Sequence, residues 1–179
     1  MQTDELAWGS SSAFSENIFE AVGGTPLVRL GRLARGVKPS IFAKVEWYSP
    51  TGSLKDRIYG QMIFRAEARG DLREGMTILE CSSGNAGIAC AAAAAVKGYA
   101  CIIVMPEMMS AERKKMIRAY GSELITTPGG ESDVDVALKR MKEMAATAPE
   151  RYWVPGEFEN LDNVDNPPHD FGAGDLGAA

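Results

Sequence analysis

Apolar and polar positions along this chain follow two periods in turn, one typical of strands and one typical of helices. Residues 41–47 place apolar side chains at every second position, which predicts a strand with one buried face. Residues 53–69 carry apolar side chains at helical spacing on one face. Residues 100–105 form a continuous apolar run, typical of a strand that is covered on both faces.

The same pattern continues along the chain and predicts an α/β fold. Ser110 with Glu112 in the following turn indicates a helix start, and Gly121 indicates its end. Strands that alternate with helices favour a three-layer, open, mainly parallel twisted sheet with helices on both faces. The predicted strands are 27–30, 41–47, 76–80, 100–105, 124–127 and 152–154, and the predicted helices are 16–21, 53–69, 85–96, the segment between Ser110 and Gly121, and 134–146.

Composition divides the chain into three parts and excludes two classes of partner. Residues 1–15 are polar and serine-rich and predict a loose arm, residues 16–164 predict one domain, and the proline- and glycine-rich tail 165–179 opposes both helix and strand. The net charge of −5 comes without a basic block, which argues against nucleic acid. No apolar run approaches the roughly 18 residues that a membrane span needs.

The termini and the cysteines point to the cytoplasm. The first residues are acidic where a secretory signal needs basic ones, and no apolar segment follows them. Cys81, Cys90 and Cys101 have neither metal-binding nor CxxC spacing. We therefore expect reduced, mostly buried thiols in a cytoplasmic protein that binds no metal.

A lysine stands at the junction between a predicted strand and a predicted helix, in the stretch PTGSLKDR (residues 50–57). The start of a helix carries a partial positive charge, which disfavours a protonated amine at Lys55. A neutral amine is what imine chemistry requires, and the neighbouring glycine and hydroxyl residues allow a ligand to approach closely. Considered alone, the pattern fits an ordinary solvated surface lysine better than a reactive one.

A second stretch, ECSSGNAG (residues 80–87), joins a predicted strand to an alanine-rich helix. A serine- and glycine-rich loop at a helix start, beyond the carboxyl end of a parallel strand, presents backbone N–H groups to an anion. Ser82, Ser83 and Asn85 add side-chain donors. The plainer interpretation is a tight turn in which Ser83 caps the helix. Together with Lys55, the loop suggests a nucleophilic amine that faces a carboxylate-binding site.

Six blocks identify a family resemblance over residues 16–164. The chain resembles the cysteine synthase and cystathionine β-synthase branch of the fold-type II pyridoxal-phosphate enzymes. The blocks occur in order and at the family's spacing: GGTPLVRL, PTGSLKDR, SSGNAGIA, KGYACIIVMPE, MSAERKKMIRAYGSELITTPG and GEFENLDNV.

The resemblance implies a cofactor, a reaction and the residues that perform it. Lys55 would form the internal aldimine with pyridoxal 5′-phosphate and then transfer protons. Asn85 would also contact the ring hydroxyl of the cofactor. The family reaction is β-replacement: an activated serine, such as O-acetylserine or O-phosphoserine, loses its leaving group to give an aminoacrylate, and sulfide or a thiol adds. A full-length relative would be a homodimer. The carboxylate-binding loop would consist of Ser82, Ser83, Gly84, Asn85 and Ala86.

The sequence departs from the family pattern in two places. Ala86 stands where cysteine synthases usually have threonine, so one hydroxyl donor is missing and O-acetylserine is a weaker expectation. The family's later glycine-rich phosphate loop, of the type G[ST]GGT, has no match here, and neither does a later serine or threonine that contacts the pyridine nitrogen. We therefore expect a C-terminally truncated relative that lacks activity if the missing segment is essential.

The tail suggests a cause for this second departure. Codons for residues 172–178, read one base later, can encode Gly-Pro-Glu-Ile-Trp-Glu-Gln, which resembles the family sequence expected there. Our hypothesis is a frameshift between Val164 and Gly172, which DNA sequencing would test, and the alternative is a natural short paralogue. His169, in this tail, is given no role.

Two other functions stay open at this point. One is a non-catalytic remnant or interaction module, favoured by the missing phosphate loop. The other is a serine or threonine dehydratase, a lyase of the same fold type. The block MSAERKKMIRAYGSELITTPG and the SSGN loop favour the cysteine synthase branch over the dehydratase, and a dehydratase would release its keto acid without a thiol.

Overall fold

The computed structural model describes residues 14–163. The chain forms two compact units that divide between Leu54 and Lys55. Most of the predicted arm at 1–15, and the whole tail at 165–179 with His169, lie outside the described residues.

The first unit contains a small antiparallel sheet. Strand β1 (Leu27–Arg29) pairs with strand β2 (Phe42–Lys44), and Val28 lies opposite Ala43. The predicted strand 41–47 is therefore wrong at its end, because residues Glu46–Tyr48 form a 3-10 helix. The cause is the shortness of β1: pairing reaches Val45, whose N–H donates to the carbonyl of Pro26 at 2.9 Å, and proline has no N–H to continue the ladder.

The predicted helix at 16–21 is also wrong, because the chain forms a turn there. The Asn17 side-chain oxygen accepts the backbone N–H groups of Phe19 at 3.0 Å and Glu20 at 3.2 Å. Asparagine competes in this way with helical hydrogen bonds, and so short a segment gains too few of them to offset helix nucleation.

The second unit contains the predicted parallel sheet, in the strand order β5-β4-β3-β6. Helix α4 covers one face and helices α1 and α2 lie on the other, so the three-layer prediction is confirmed. None of the helices within residues 14–163 is long and apolar enough to cross a bilayer. The elements are α1 (Lys55–Arg69), β3 (Thr77–Cys81), α2 (Asn85–Lys97), β4 (Ala100–Pro106), α3 (Ala111–Ala119), β5 (Glu123–Thr127), α4 (Val134–Thr147) and β6 (Tyr152–Trp153).

Close packing fixes where α2 begins. Leu79 and Val104 point to α4, whereas Ile103 points to α2. A Cβ atom on Gly87 would lie 3.2 Å from the Ile103 Cγ2 atom, so the first turn of α2 sits tightly on the sheet. The loop between β3 and α2 is therefore held at the carboxyl end of a central strand, where ligands of parallel sheets bind.

Candidate functional site

Lys55 is the first residue of α1, as the sequence predicts for the helix start. Its Nζ atom forms an ion pair with Oε1 of Glu157, and it also donates a hydrogen bond to that atom. The Lys55 side chain is 30% exposed and the Glu157 side chain 9%. Lys55 is therefore a partly buried amine with a carboxylate partner rather than a solvated surface lysine.

Two further side chains connect Glu157 to the central strand. The Tyr59 hydroxyl, one helical turn after Lys55, lies 3.4 Å from Glu157 Oε2 and 3.0 Å from Glu80 Oε2. The other Glu80 oxygen accepts the N–H of Cys81 at 2.8 Å. Tyr59, Glu80 and Glu157, here called the buried carboxyl cluster, are all nearly inaccessible to solvent.

Burial changes the acidity of this cluster. Burial, with a smaller contribution from the Glu157 charge, raises the pKa of Glu80 to about 7, against an ordinary 4.5, although the hydrogen bonds from Cys81 and Tyr59 oppose the rise. Burial and the Glu80 charge raise the pKa of Tyr59 well above its ordinary value. Tyr59 therefore remains a neutral hydroxyl, and Glu80 can gain or lose a proton near neutral pH.

The segment that carries Glu157, residues 155–163, is fastened to α1. The Asp162 carboxylate accepts two hydrogen bonds from the Arg69 guanidinium, at 2.7 Å and 3.0 Å, and lies 3.4 Å from Arg65. The hydrogen bonds from Arg69, and to a smaller extent that from Arg65, hold the pKa of the Asp162 carboxyl below its usual value. The Asn163 side chain donates to the Glu157 carbonyl at 2.7 Å. The position of Glu157 is thus set by contacts at both ends of its segment.

The serine- and glycine-rich loop, residues 82–86, is shaped by its own backbone. The buried Ser82 hydroxyl accepts the N–H of Gly87 at 2.8 Å and that of Gly84 at 3.2 Å. The interpretation in which Ser83 caps the helix is wrong, because Gly84 is the N-cap residue and makes no side-chain cap bond. Ser82 replaces Ser83 in that role because it leaves the buried strand pointing towards the helix start.

Three backbone donors of this loop have no hydrogen-bond partner among the described residues. They are the N–H groups of Ser83, Asn85 and Ala86. They lie at the positive end of the 13-residue helix α2. Donors grouped in this way suit a carboxylate or another small anion.

Arg113 of α3 completes the loop, and the sequence analysis did not identify it. Its Nη1 donates to the Ser83 carbonyl at 3.0 Å, and its guanidinium carbon lies 3.6 Å from where a Cβ of Gly84 would stand. The arginine therefore adds positive charge and lies at ordinary van der Waals distance from residue 84. It follows Ser110, whose hydroxyl accepts the Arg113 N–H as the predicted N-cap.

The two parts of the site are joined through β3. Glu80 lies near the end of this strand, and Ser82 begins the loop two residues later. Hydrogen bonds then run from Glu80 through Tyr59 and Glu157 to Lys55. Sequence reasoning missed Glu157, which is 102 residues from Lys55. Glu80 could have been recognised, because a charge in the otherwise apolar strand Thr77–Cys81 needs a buried partner.

The sequence matches one family model over most of its length. The model is that of the pyridoxal-phosphate dependent enzymes, and it matches residues 18–169. A probable cysteine synthase of Bacillus subtilis is 43% identical over 149 residues, which are 83% of this chain and 47% of that protein. A cysteine synthase of a Flavobacterium species is 44% identical over 149 residues, which are 83% of this chain and 48% of that protein.

Solved structures that are similar to this chain are enzymes of the same kinds as its sequence relatives. The cysteine synthase of Entamoeba histolytica superposes with a TM-score of 0.82 at 37% identity, over 87% of this chain and 47% of that one. The O-acetylserine dependent cystathionine β-synthase of Helicobacter pylori gives a TM-score of 0.79 at 32% identity, over 89% and 52%. The chain therefore spans about half the length of the relatives that it matches.

Proposed function

The chain belongs to the family of pyridoxal-phosphate dependent enzymes, and from that premise we propose that it carries the lysine and the carboxylate loop of a β-replacing enzyme. The substrate class is an activated serine, O-acetylserine or O-phosphoserine, and the second substrate is sulfide or a thiol. The observation that carries the proposal is the group of unpartnered loop N–H donors, joined through β3 and the buried carboxyl cluster to the Lys55 amine.

The residues present fit the cofactor of this family. An aldehyde-bearing cofactor requires a positioned amine, which Lys55 supplies, and Asn85 is proposed to contact the ring hydroxyl. When bound, pyridoxal phosphate supplies an electron-withdrawing ring that stabilises charge at the carbon next to the amino group. No group for the cofactor phosphate is assigned within this chain.

The chain's own residues have separable tasks in this proposal. The N–H groups of Ser83, Asn85 and Ala86 orient the amino-acid carboxylate, and the Ser82 and Ser83 hydroxyls are further proposed donors. Gly84 permits the close approach of the backbone, and Arg113 adds positive charge beside it. Lys55 holds or releases a proton at Nζ, and Glu157 accepts that proton's hydrogen bond.

The first experiment is a titration of the purified chain with pyridoxal phosphate. The yellow absorbance would be followed, the bound cofactor reduced with borohydride, and the modified lysine located by mass spectrometry. We expect one equivalent on Lys55 and its loss in the Lys55→Ala variant. Lys97→Ala is the matched control, because Lys97 also pairs with a glutamate, Glu67, but on the surface. Labels scattered over many lysines would contradict the proposal.

A second experiment tests the reaction. The cofactor-loaded chain would be given O-acetyl-L-serine or O-phospho-L-serine, with and without sulfide. Cysteine that forms only with sulfide supports β-replacement, whereas keto acid formed without sulfide would indicate a dehydratase. Labelling of Lys55 without either product would mean that this half holds the cofactor but lacks the activity.

Two coarser properties belong to the same proposal. Homodimerisation, which the family resemblance implies, is tested by light scattering on the purified chain. Cytoplasmic location is supported by Cys81, Cys90 and Cys101, none of which forms a disulfide.

A further inference from the structure

The Tyr59 hydroxyl stands between two carboxyl groups but has a single proton to donate. It lies 3.0 Å from Glu80 Oε2 and 3.4 Å from Glu157 Oε2. Hydrogen-bond energy falls with distance, so the proton favours Glu80 as long as Glu80 is ionised. If Glu80 is protonated, it no longer needs that bond and can itself donate to the Tyr59 oxygen. The Tyr59 proton is then available to Glu157.

Two buried carboxyl groups, Glu80 and Glu157, share the Tyr59 hydroxyl, and repulsion between their charges favours a proton on one of them. Burial raises the pKa of Glu80 to about 7, which agrees with a proton resident on Glu80 below neutral pH.

The other titratable groups near Glu80 are the three thiols, besides Tyr59 and Glu157. Burial raises the pKa of Cys81 to about 11 and that of Cys90 well above its ordinary value, so these two thiols stay neutral. Cys101 hydrogen-bonds to Cys90 behind them. Cys90 also acts on Tyr59, and its charge adds to the rise in the pKa of that hydroxyl.

We propose that Tyr59 is a proton switch, in which the protonation of Glu80 decides whether the Tyr59 hydroxyl bonds Glu80 or Glu157 and so sets the reactivity of the Lys55 amine. Tyr59 and Glu80 are positioning residues, since they act on Lys55 through Glu157. The inference rests on the proposed role of Lys55 as the reactive amine. No covalent bond forms or breaks in the switch: one proton leaves or joins the Glu80 carboxyl, and the Tyr59 O–H turns.

The direction of the effect follows from the charge that faces Lys55. With Glu80 protonated, the Tyr59 hydrogen bond goes to Glu157 and weakens the ion pair between Glu157 and Lys55, so the Lys55 amine is more reactive. With Glu80 ionised, Glu157 loses that bond and the cluster gains a negative charge, so the ion pair is stronger and the amine is less reactive. Rising pH therefore increases the reactivity of Lys55 less steeply than it would for an isolated amine.

The test measures the Lys55 amine without any cofactor. Trace acetylation with isotope-labelled acetic anhydride, quantified by mass spectrometry of the Lys55 peptide, reports the unprotonated fraction at each pH. We expect Glu80→Gln to match the wild type at about pH 5.5 and to react about five-fold faster at about pH 8, because its neutral side chain never adds the negative charge.

The chain supplies a matched control on its surface. Lys97 donates to Glu67 at 2.7 Å and Tyr99 donates to the same carboxylate at 3.1 Å, which repeats the lysine–glutamate–tyrosine arrangement without the second carboxyl. Lys97 is read in the same digests, and its acetylation profile should be identical in the wild type and in Glu80→Gln. A five-fold change at Lys97 as well would mean a general structural effect and would overturn the inference.

A second variant keeps the inference testable if Glu80→Gln does not fold. Tyr59→Phe keeps the ring but removes the switching proton, so Lys55 should react more slowly than in the wild type at about pH 5.5, with the difference disappearing towards about pH 8. The switch would be overturned if the ratio of the Lys55 acetylation rate in Glu80→Gln to that in the wild type were constant with pH. It would also be overturned if the pH profile of Lys55 acetylation in Tyr59→Phe equalled that of the wild type. Because acetic anhydride needs no cofactor, failure of pyridoxal phosphate to label Lys55 leaves this result unaffected.

Discussion

The loop at 82–86 and the buried carboxyl cluster are built from different chemical groups. The loop uses backbone N–H groups that are adjacent in sequence, placed at a helix start and shaped by one serine hydroxyl. The cluster uses three side chains that come from α1, β3 and the 155–163 segment. The loop is rich in donors and the cluster is rich in acceptors.

This contrast means that anion binding and pH response are separable in this molecule. Backbone donors remain after any substitution except one to proline, and their charge does not change with pH. The cluster depends on individual side chains, and at least Glu80 titrates near neutral pH. Substitutions in the loop should therefore change affinity, whereas substitutions in the cluster should change pH dependence.

The strongest change is expected in the pH dependence of stability. Glu80 has a pKa of about 7 in the folded chain against 4.5 for an ordinary glutamate, so the folded state binds the extra proton between these values. Its contribution is fully present below pH 4.5 and is lost as the pH rises through 7. The shift corresponds to about 3 kcal/mol as an order of magnitude.

Urea unfolding of the wild type and Glu80→Gln at several pH values measures this effect. We expect the free energy of unfolding of the wild type to fall by about 3 kcal/mol relative to the variant between about pH 4.5 and about pH 8. Parallel curves for the two proteins would show that Glu80 is not the titrating group.

The next effect concerns the attachment of the segment that positions Glu157. Arg69→Met leaves the buried Asp162 carboxylate with only the longer contact to Arg65 among the described residues, and we expect a loss of about 2 kcal/mol. Because Arg69 lowers the pKa of Asp162, this contribution is present above the ordinary carboxyl pKa and is lost as the pH falls through the lowered value. The deficit of the variant should therefore shrink in acid.

Arg73→Met is the control for that prediction. Arg73 pairs with Glu150 at 3.3 Å, but both side chains are mostly exposed, so we expect a change within about 0.5 kcal/mol. Equal losses from both variants in denaturant unfolding would contradict the assignment of Asp162 as the anchor of the segment.

A smaller effect is expected from the serine that shapes the loop. Ser82→Ala removes the acceptor for the Gly84 and Gly87 N–H groups and should cost about 1 kcal/mol of stability. Thermal unfolding would measure it, and the acetylation profile of Lys55 with pH should not change. A changed profile would mean that loop and cluster are not separable.

The smallest effect is expected at the position where the chain departs from its family. Ala86→Thr adds one hydroxyl next to the unpartnered N–H groups, so affinity of the cofactor-loaded chain for O-acetyl-L-serine should rise about three-fold. Spectroscopic titration would measure the change. Weaker binding would mean that the buried position 86 has no room for the larger side chain.

Local patterns predicted the fold and the places of Lys55 and of the loop before α2, whereas the other contacts at the site are between residues far apart in sequence. The alanine-rich helix α2, the cap at Ser110 and the place of Lys55 follow from neighbours in sequence, and the structure agrees with all three. The prediction of a strand over 41–47 is wrong at its end, because the residues of one strand do not reveal the length of the strand that it pairs with. Glu157 could not be assigned to Lys55, because only the folded sheet brings residues 102 positions apart together.

The 155–163 segment is tied to both ends of helix α1, to Lys55 through Glu157 and to Arg69 through Asp162. Lys55 and Arg69 are separated by about 21 Å along the helix axis, at 1.5 Å per residue. The attachment is therefore bivalent: while one contact holds, the other re-forms at a high effective concentration. A change at Arg69 would thus raise the frequency with which Glu157 leaves Lys55, although four helical turns separate the two places. Helix α1 therefore couples the ion pair between Arg69 and Asp162 at one end to the occupancy of the ion pair between Lys55 and Glu157 at the other end.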